Sequence, residues 1–433
     1  MLLEVPRASY IKGDCRNSIK CSTGASGIIK KHNSHVEFRC AAQSLYLWKG
    51  MVIYMKKHHL HRWASFMPTV VILILFIFLI FLPTGYEDAV IYKGTDRTTA
   101  EVLETDNSKL LSTGLIYSGE QKCRIRLLGG RFKGQEAEGI NLLNGSLEQD
   151  KLFNVGDRAL VVISYQEDEI KSINMIDHYR LNKEVILVGI FIVSLILFAG
   201  KTGVRALLSF AVTILMIWKV LVPGYLNGNN PVIYGFVIVL LLTVITMIMV
   251  YGFDRQAVSA ISGSVLGTVT TVILGMIFTD IYQIHGAIMP YSESLLYCGY
   301  TNLNLTRIFT AGIFIGSAGA VMDLAVDVTS SVNEVVRNRS NITWKEAALS
   351  GIRVGRAALG TQTTTLLLAY SGGYIALLMV FMAQGTPVYN ILNYKYVAAE
   401  ILETIVGSIG LVTVAPFTAL TGGILLTIKR KSE

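Results

Sequence analysis

Charged side chains are scarce in this sequence. Only 16% of its 433 residues are Asp, Glu, Lys or Arg, against about 25% in an average soluble protein. Hydrophobic residues make up 52% and the mean hydropathy is +0.51. Those figures exclude one large soluble domain and a disordered chain. Cysteine is sparse too, with Cys15, Cys21, Cys40, Cys123 and Cys298. None forms a C-x-x-C pair, which argues against a structural zinc or a thioredoxin-type site. The small group His58, His59 and His61 does not change that, and the pattern asks for neither a metal nor a cofactor. No G-x-x-x-x-G-K-[ST] loop is present, so transport powered by the chain's own ATP hydrolysis is excluded. No basic face with interleaved aromatics occurs, which argues against nucleic acid. No nucleophile pattern accompanies the carboxylates, which argues against an enzyme.

What is abundant is apolar sequence, gathered in runs of a length that crosses about 30 Å of hydrocarbon at 1.5 Å per residue. The first is 67–82. A basic front, Met55-Lys56-Lys57-His58-His59-Leu60-His61-Arg62, precedes it, and no small-x-small cleavage site follows. It reads as an uncleaved anchor over 64–83. Seven more runs follow at 185–199, 204–222, 231–251, 257–278, 308–326, 357–382 and 401–428; the last carries Pro416 and is expected to kink or tilt. Residues 281–300 mix polar and aromatic positions. They read as an interfacial helix or as a re-entrant segment.

Charge is sorted along the chain. Residues 1–63 hold 11 Lys/Arg and 3 Asp/Glu, whereas residues 84–184 hold 13 Lys/Arg and 17 Asp/Glu. With the N-terminus inside and eight spans, the inner connections carry Lys201, Arg205, Arg255, Arg337, Arg339, Lys345, Arg353, Arg356, Lys429, Arg430 and Lys431. After the outward segment, the outer connections carry only Lys219, Arg307 and Lys395. Cations resist translocation, so this division sets the direction, N-in and C-in, and supports the count. Segment 1–63 is then cytoplasmic. Residues 1–50 are polar and without period, and are either part of that segment or an extension upstream of a true start near Met55. Segment 84–182 faces outward. Its period-2 stretches 122–127, 159–164 and 170–176, with turn signals at Gly129-Gly130, Asn144-Gly145 and Gly156-Asp157, predict a small β-rich, OB-like module. Cys123 and Cys298 both fall outside, either paired or as free thiols. Segment 183–433 is a seven-helix membrane domain.

Ionisable and small polar residues inside spans are the functional candidates. In the sixth span Gly312, Gly316 and Ala320 lie four apart, as do Gly319 and Asp323, making a face that a second helix can approach closely. Asp323 and Asp327 share a face at i,i+4. Asp323 is 15 residues from Ile308, about 22 Å inward, near the cytoplasmic edge. Arg353 and Arg356 open the seventh span, and an Asp323–Arg356 pair would latch the two spans; an ion or proton site and a snorkelling boundary charge are the alternatives. Gln362 and Thr363 sit in a G-T-x-T-T segment, 360–364, that repeats one at 267–271, by chance or as an internal repeat. Thr hydroxyls there usually bond a backbone carbonyl, whereas a membrane amide such as Gln362 wants a partner. Glu400 and Glu403 open the eighth span, as solvated headgroup-level charges or as transport residues.

The ordering of anchor, outward β module and seven spans accompanies specific segments. These are I-D-H-Y-R at 176–180, G-S-A-G-A-V-M-D at 316–323, G-R-A-A-L-G-T at 355–361 followed by T-L-L-L-A-Y-S-G, V-G-S-I-G-L-V at 406–412 and A-P-F-T-A-L at 415–420. Together, over about 65–431, they resemble the YibE/F family of bacterial multi-pass membrane proteins. That family often has an acidic residue after the G-R, where this chain has Ala357, and Asn near the position of Thr364, so a carboxylate from the seventh span is not implied. The resemblance implies a plasma-membrane location and leaves activity open. The expected role is movement of a small solute or ion, with a non-catalytic envelope docking partner as the alternative. The expected partners are the lipid bilayer and a related membrane protein or second copy.

Overall fold

The computed structural model describes residues 67–87, 94–339 and 341–428. The expectations for 1–63, for its histidines and for Lys429–Lys431 lie outside the described residues. The chain starts there with an apolar helix, α1 (Met67–Phe81), and continues into a β module and a helical bundle.

The β module is a closed barrel of five strands: β1 (Thr95–Thr113), β2 (Ile116–Leu127), β3 (Glu136–Asn144), β4 (Arg158–Gln166) and β5 (Glu169–His178). Their order is β1-β2-β3-β5-β4. β1 closes it, pairing antiparallel with β4 through Thr95–Glu101 and with β2 through Ala100–Thr113. Two register shifts along the β1–β2 pairing, at Val102/Glu104 and Asp106/Lys109, let the long strand bend round the barrel. β3 runs parallel to β5. The predicted stretches 122–127, 159–164 and 170–176 lie in β2, β4 and β5. β1 and β3 escaped that reading because their alternation is carried by Thr98, Ala100, Val102 and Asn141, not by large apolar residues.

Inward positions alternate along every strand. Val102, Cys123, Ile125, Leu127, Phe153, Val161, Ile163 and Ile173 fill the interior. At one end a polar plug replaces them. Gln121 Nε2 donates to Asn107 Oδ1 and to the Phe153 carbonyl, each at 2.9 Å. Gln121 Oε1 accepts from the Phe153 amide at 3.1 Å and from Asn141 Nδ2 at 3.0 Å. Both amide residues are fully buried. Cys123 is buried and Cys298 exposed, and both thiols are free; burial pushes the Cys123 thiol up to about 11.

Six helices among the described residues are long and apolar enough to cross a bilayer: α2 (Leu181–Leu226), α3 (Pro231–Tyr251), α4 (Arg255–Ile281), α6 (Leu305–Asn338), α7 (Trp344–Ser371) with its continuation α8 (Ile375–Ala383), and α10 (Lys395–Thr427). Short elements α5 (Ser292–Tyr297) and α9 (Val388–Leu392) join them. α2 contains both apolar runs 185–199 and 204–222. It breaks between them at Gly200, whose φ of 54° and ψ of −125° are open only to glycine. Phe191 and Phe210 then stack with ring centroids 6.0 Å apart. Along one unbroken helix 19 residues would separate them by about 28 Å. The chain therefore reverses at Gly200, and the two runs are arms of a hairpin. The first arm is exposed along its length, while the second packs Val212, Met216 and Leu221 against Ile72 and Leu79 of α1 and Ile238 and Leu242 of α3.

At the centre lies α10, between α4 and α7. On one side Ser259, Gly263, Gly267 and Thr271 of α4 meet Gly422, Thr418, Val414 and Gly410 of α10. A Cβ on Gly263 would overlap the Thr418 hydroxyl, and one on Gly267 would stand 2.9 Å from Val414 Cβ. On the other side Gly351 and Gly355 of α7 seat on Ala419 and Ala415. Small residues at four-residue spacing let the backbones approach, the expected packing where lipid and side chain are equally apolar. α10 runs through Pro416 as one continuous helix. The segment 281–300 forms a short turn, Gly286–Ile288, and α5. Ile284 and Ile288 bury against Phe309 and Leu402, and Gly286 sits so close to the Leu305 backbone that no side chain fits.

Candidate functional site

The polar candidates converge where α6, α7 and α10 meet. A Cβ on Gly407 would stand 3.1 Å from both Leu366 Cδ2 and Ser317 Cβ, so the three helices touch at one level. One turn along α7 from Leu366 is Tyr370, and one turn back along α10 from Gly407 is Glu403. Tyr370 leans over Gly316, where a Cβ would overlap its hydroxyl. Glu400 lies one turn before Glu403 on α10, so the two carboxylates share that side of the helix. Both glutamates are half-buried.

Several polar atoms at this junction have no partner. Tyr370 Oη, Glu400 Oε1, Gln362 Oε1 and Thr404 Oγ1 are enclosed without a hydrogen bond. Gln362, Leu366 and Tyr370 follow at four-residue spacing and so line one face of α7; Thr404 lies one turn beyond Glu400 on α10. Unpartnered polar groups in an apolar bundle are expensive and rare.

Thr363 differs from these. Its hydroxyl donates to the Leu359 carbonyl at 2.8 Å, and Thr361, Thr364 and Thr365 bond their own helix in the same way. The two G-T-x-T-T segments also stand in unlike surroundings. Gly267 packs on Val414, whereas Gly360 has no neighbour within 4 Å.

Gly312, Gly316, Gly319, Asp323 and Asp327 all lie on the exposed side of α6. Nothing stands within 4 Å of a Cβ on Gly312 or Gly319, so the small-residue face is open there, and only Tyr370 covers it at Gly316. Asp323 and Asp327 are in no ion pair among the described residues, and the Asp323–Arg356 latch does not form. Gly355 occupies the seam with Ala415 and Val328, which turns the next residue, Arg356, outward. Arg353 lines a separate cleft of about 420 Å³ with Glu334 and Glu346 at the α6–α7 connection. Beside Asp327, Tyr251 of α3 donates to the Val326 carbonyl at 2.8 Å and bonds Ser330 Oγ at 2.8 Å.

A family model described as YibE/F-like protein matches residues 187–428, more than half of the chain. The chain belongs to the YibE/F-like family. No curated protein and no solved structure matches it. The YibE/F-like region takes in every helix from α3 to α10 and the whole junction just described, while the barrel, ending at His178, precedes it. Two junction residues, Tyr370 and Thr404, are not among the candidates that the sequence marks by charge or small-residue spacing. The available signal was a hydroxyl at helical spacing from other polar residues in an apolar span, with Tyr370 eight after Gln362 and Thr404 four after Glu400.

Proposed function

We propose that this chain is a membrane component that moves a small solute or ion, with α6, α7 and α10 forming the pathway. The observation that carries this reading is the set of enclosed, unpartnered polar atoms at their junction, Gln362 Oε1, Tyr370 Oη and Glu400 Oε1. A bundle built only for anchoring has no use for polar groups left unsatisfied in its interior, whereas a passing solute supplies partners. The open glycine face of α6 leads from that junction to Asp323 and Asp327.

The topology we propose is eight crossings, N-in and C-in, in the plasma (cytoplasmic) membrane of a bacterium. The reversal at Gly200 makes two crossings of α2, and α1 adds another, with its 15 residues near the short end of the spanning range. Residues 1–63 are cytoplasmic in this arrangement, and the barrel lies outside. Its strand order, long closing β1 and parallel β3–β5 pair support an OB-type assignment. The chain is read as a non-enzyme without a cofactor.

Flux into proteoliposomes, measured for a panel of solutes with Asp323→Asn and Asp327→Asn, tests the transport reading. We expect flux that both substitutions reduce. No flux for any solute, or flux untouched by both, would overturn it. Reporter fusions after Arg255 and Lys395 test the topology; an outside signal after Arg255 would refute eight spans.

A second reading, an envelope docking partner, is favoured by one feature. Leu115, Ile116 and Leu147 are exposed and line one hollow at the β1–β2 and β3–β4 end of the barrel, an apolar patch of a kind that marks interaction surfaces. Crosslinking with this patch changed to serine tests it, since a docking role requires partners to be lost while membrane insertion survives.

A further inference from the structure

We propose that Glu400, Glu403, Thr404 and Tyr370 form a binding site for a monovalent metal cation. The proposal rests on the transport reading for its role, and on the side chains themselves for its chemistry. All four groups offer oxygen, the donor that hard cations select over nitrogen or sulfur. Glu400 and Glu403 are one turn apart at i,i+3 on α10, and Glu403 and Tyr370 each stand one turn from the Gly407–Leu366 contact.

Thr404 points to a ligand independently of the acids. It is only 6% exposed, and its hydroxyl has no partner. Most threonines in the bundle bond a carbonyl of their own helix, as Thr243, Thr268, Thr271 and Thr310 do. Thr404 does not. Other buried threonines share that property, Thr279, Thr329 and Thr418, but none of them is one turn from a carboxylate with an enclosed, unpartnered oxygen.

No side chain neutralises the pair among the described residues. The ammonium of Lys395, the nearest cation in sequence, lies over the Tyr396 ring at 5.2 Å. Arg307, at the same end of the bundle, is held by Asp280 at 3.1 Å. Two half-buried carboxylates with no protein cation are unfavourable unless another positive charge joins them. A divalent ion fits poorly. Calcium takes six to eight oxygen ligands and magnesium demands near-ideal octahedral geometry, whereas two carboxylates and two hydroxyls spread over two helices supply fewer fixed oxygens.

The test is the thermal unfolding midpoint of the full chain in lipid nanodiscs, at fixed pH and ionic strength, in NaCl, KCl or LiCl against choline chloride. We expect a saturable rise with at least one alkali cation. Glu400→Gln and Glu403→Gln should abolish the rise, and Glu334→Gln, in the separate α6–α7 cleft, should keep it. Thr404→Val and Tyr370→Phe should raise the cation concentration for half-effect by about tenfold. These two variants carry the test if the glutamate variants do not fold. Equal midpoints in choline and all three alkali salts, a rise with calcium or magnesium only, or unchanged half-effects in Thr404→Val and Tyr370→Phe would each overturn the site. Proteoliposome flux separates the two claims. Cation binding without flux of any solute leaves the site standing and removes the transport role. Flux that persists in choline and in Glu400→Gln, with no cation-dependent rise in the midpoint, keeps transport and removes the site.

Discussion

The barrel and the bundle solve the same problem with opposite materials. In the barrel, bulky side chains such as Phe153, Ile125 and Ile163 fill the interior, and its buried amides are tied into one network around Gln121. Water is excluded there by volume, and the hydrophobic effect drives packing. In the bundle, the central contacts are made by what is missing. Gly263, Gly267, Gly351, Gly355 and Gly410 bring backbones together, because lipid gives no hydrophobic reward for helix association. Most bundle threonines satisfy their own helix, yet polar atoms stay unpartnered at the α6–α7–α10 junction and also at Ser259, Ser264, Thr279, Thr329 and Thr418. The difference teaches where to look for function: the barrel's buried amides are bonded to one another, with one oxygen, Asn141 Oδ1, left over among the described residues, while the bundle leaves many polar atoms without partners.

The comparison can be broken by substitution, and hydrogen exchange on the full chain would read each region separately. The largest expected effect is Phe153→Ala, which should cost the barrel about 3–5 kcal/mol and leave exchange in α4 and α10 unchanged. Next is Gly263→Ala. A methyl of no consequence in most helices should destabilise the α4–α10 contact by about 1–3 kcal/mol, because Thr418 already occupies the space. Loss of the α10 contact without any barrel change would support the division, and a neutral result would refute close backbone packing as its basis. Gln121→Leu should cost about 1–3 kcal/mol through the stranded Asn141 and Phe153 groups.

Acidification comes after these. Arg180 donates to Asp177 at 2.8 Å and holds its carboxyl below the usual range; the Asn144 and Ser146 amides do the same for Asp150. Depressed carboxyls contribute stability that is complete above the unfolded value near 3.9 and is lost as pH falls through the folded value. Barrel exchange should therefore quicken below about pH 4. The smallest effect is expected from Arg124→Ala. Its bonds to Glu104 and Glu136 are exposed, so the loss should stay below about 1 kcal/mol and shrink further in salt.

Much of the fold was legible because it depends on local period and composition. Runs such as 231–251 and 257–278 are apolar over a bilayer's thickness whatever they contact, and they became α3 and α4. The strands 122–127 and 159–164 alternate visibly. β1 was not legible, since its inward positions Thr98 and Ala100 carry little hydrophobic signal and are chosen by their partners on β2 and β4. The reversal at Gly200 was legible only as a gap between two runs; its geometry came from Phe191 meeting Phe210. For the site, Asp323 and Asp327 stood out as charges in a span, and the structure leaves them on an open face without the arginine expected for them. Glu400 is the reverse case. Its place near a span end argues for solvation, yet one of its oxygens is enclosed without a partner.

By itself the sequence determined which segments are apolar enough to leave water and which form a soluble module, because those depend on each residue's own solvation and on spacing within a few turns. Which polar atoms end without partners was decided only by the tertiary structure. Satisfaction is a property of pairs, and at the α6–α7–α10 junction the groups that meet come from residues as far apart as Gly316 and Glu403.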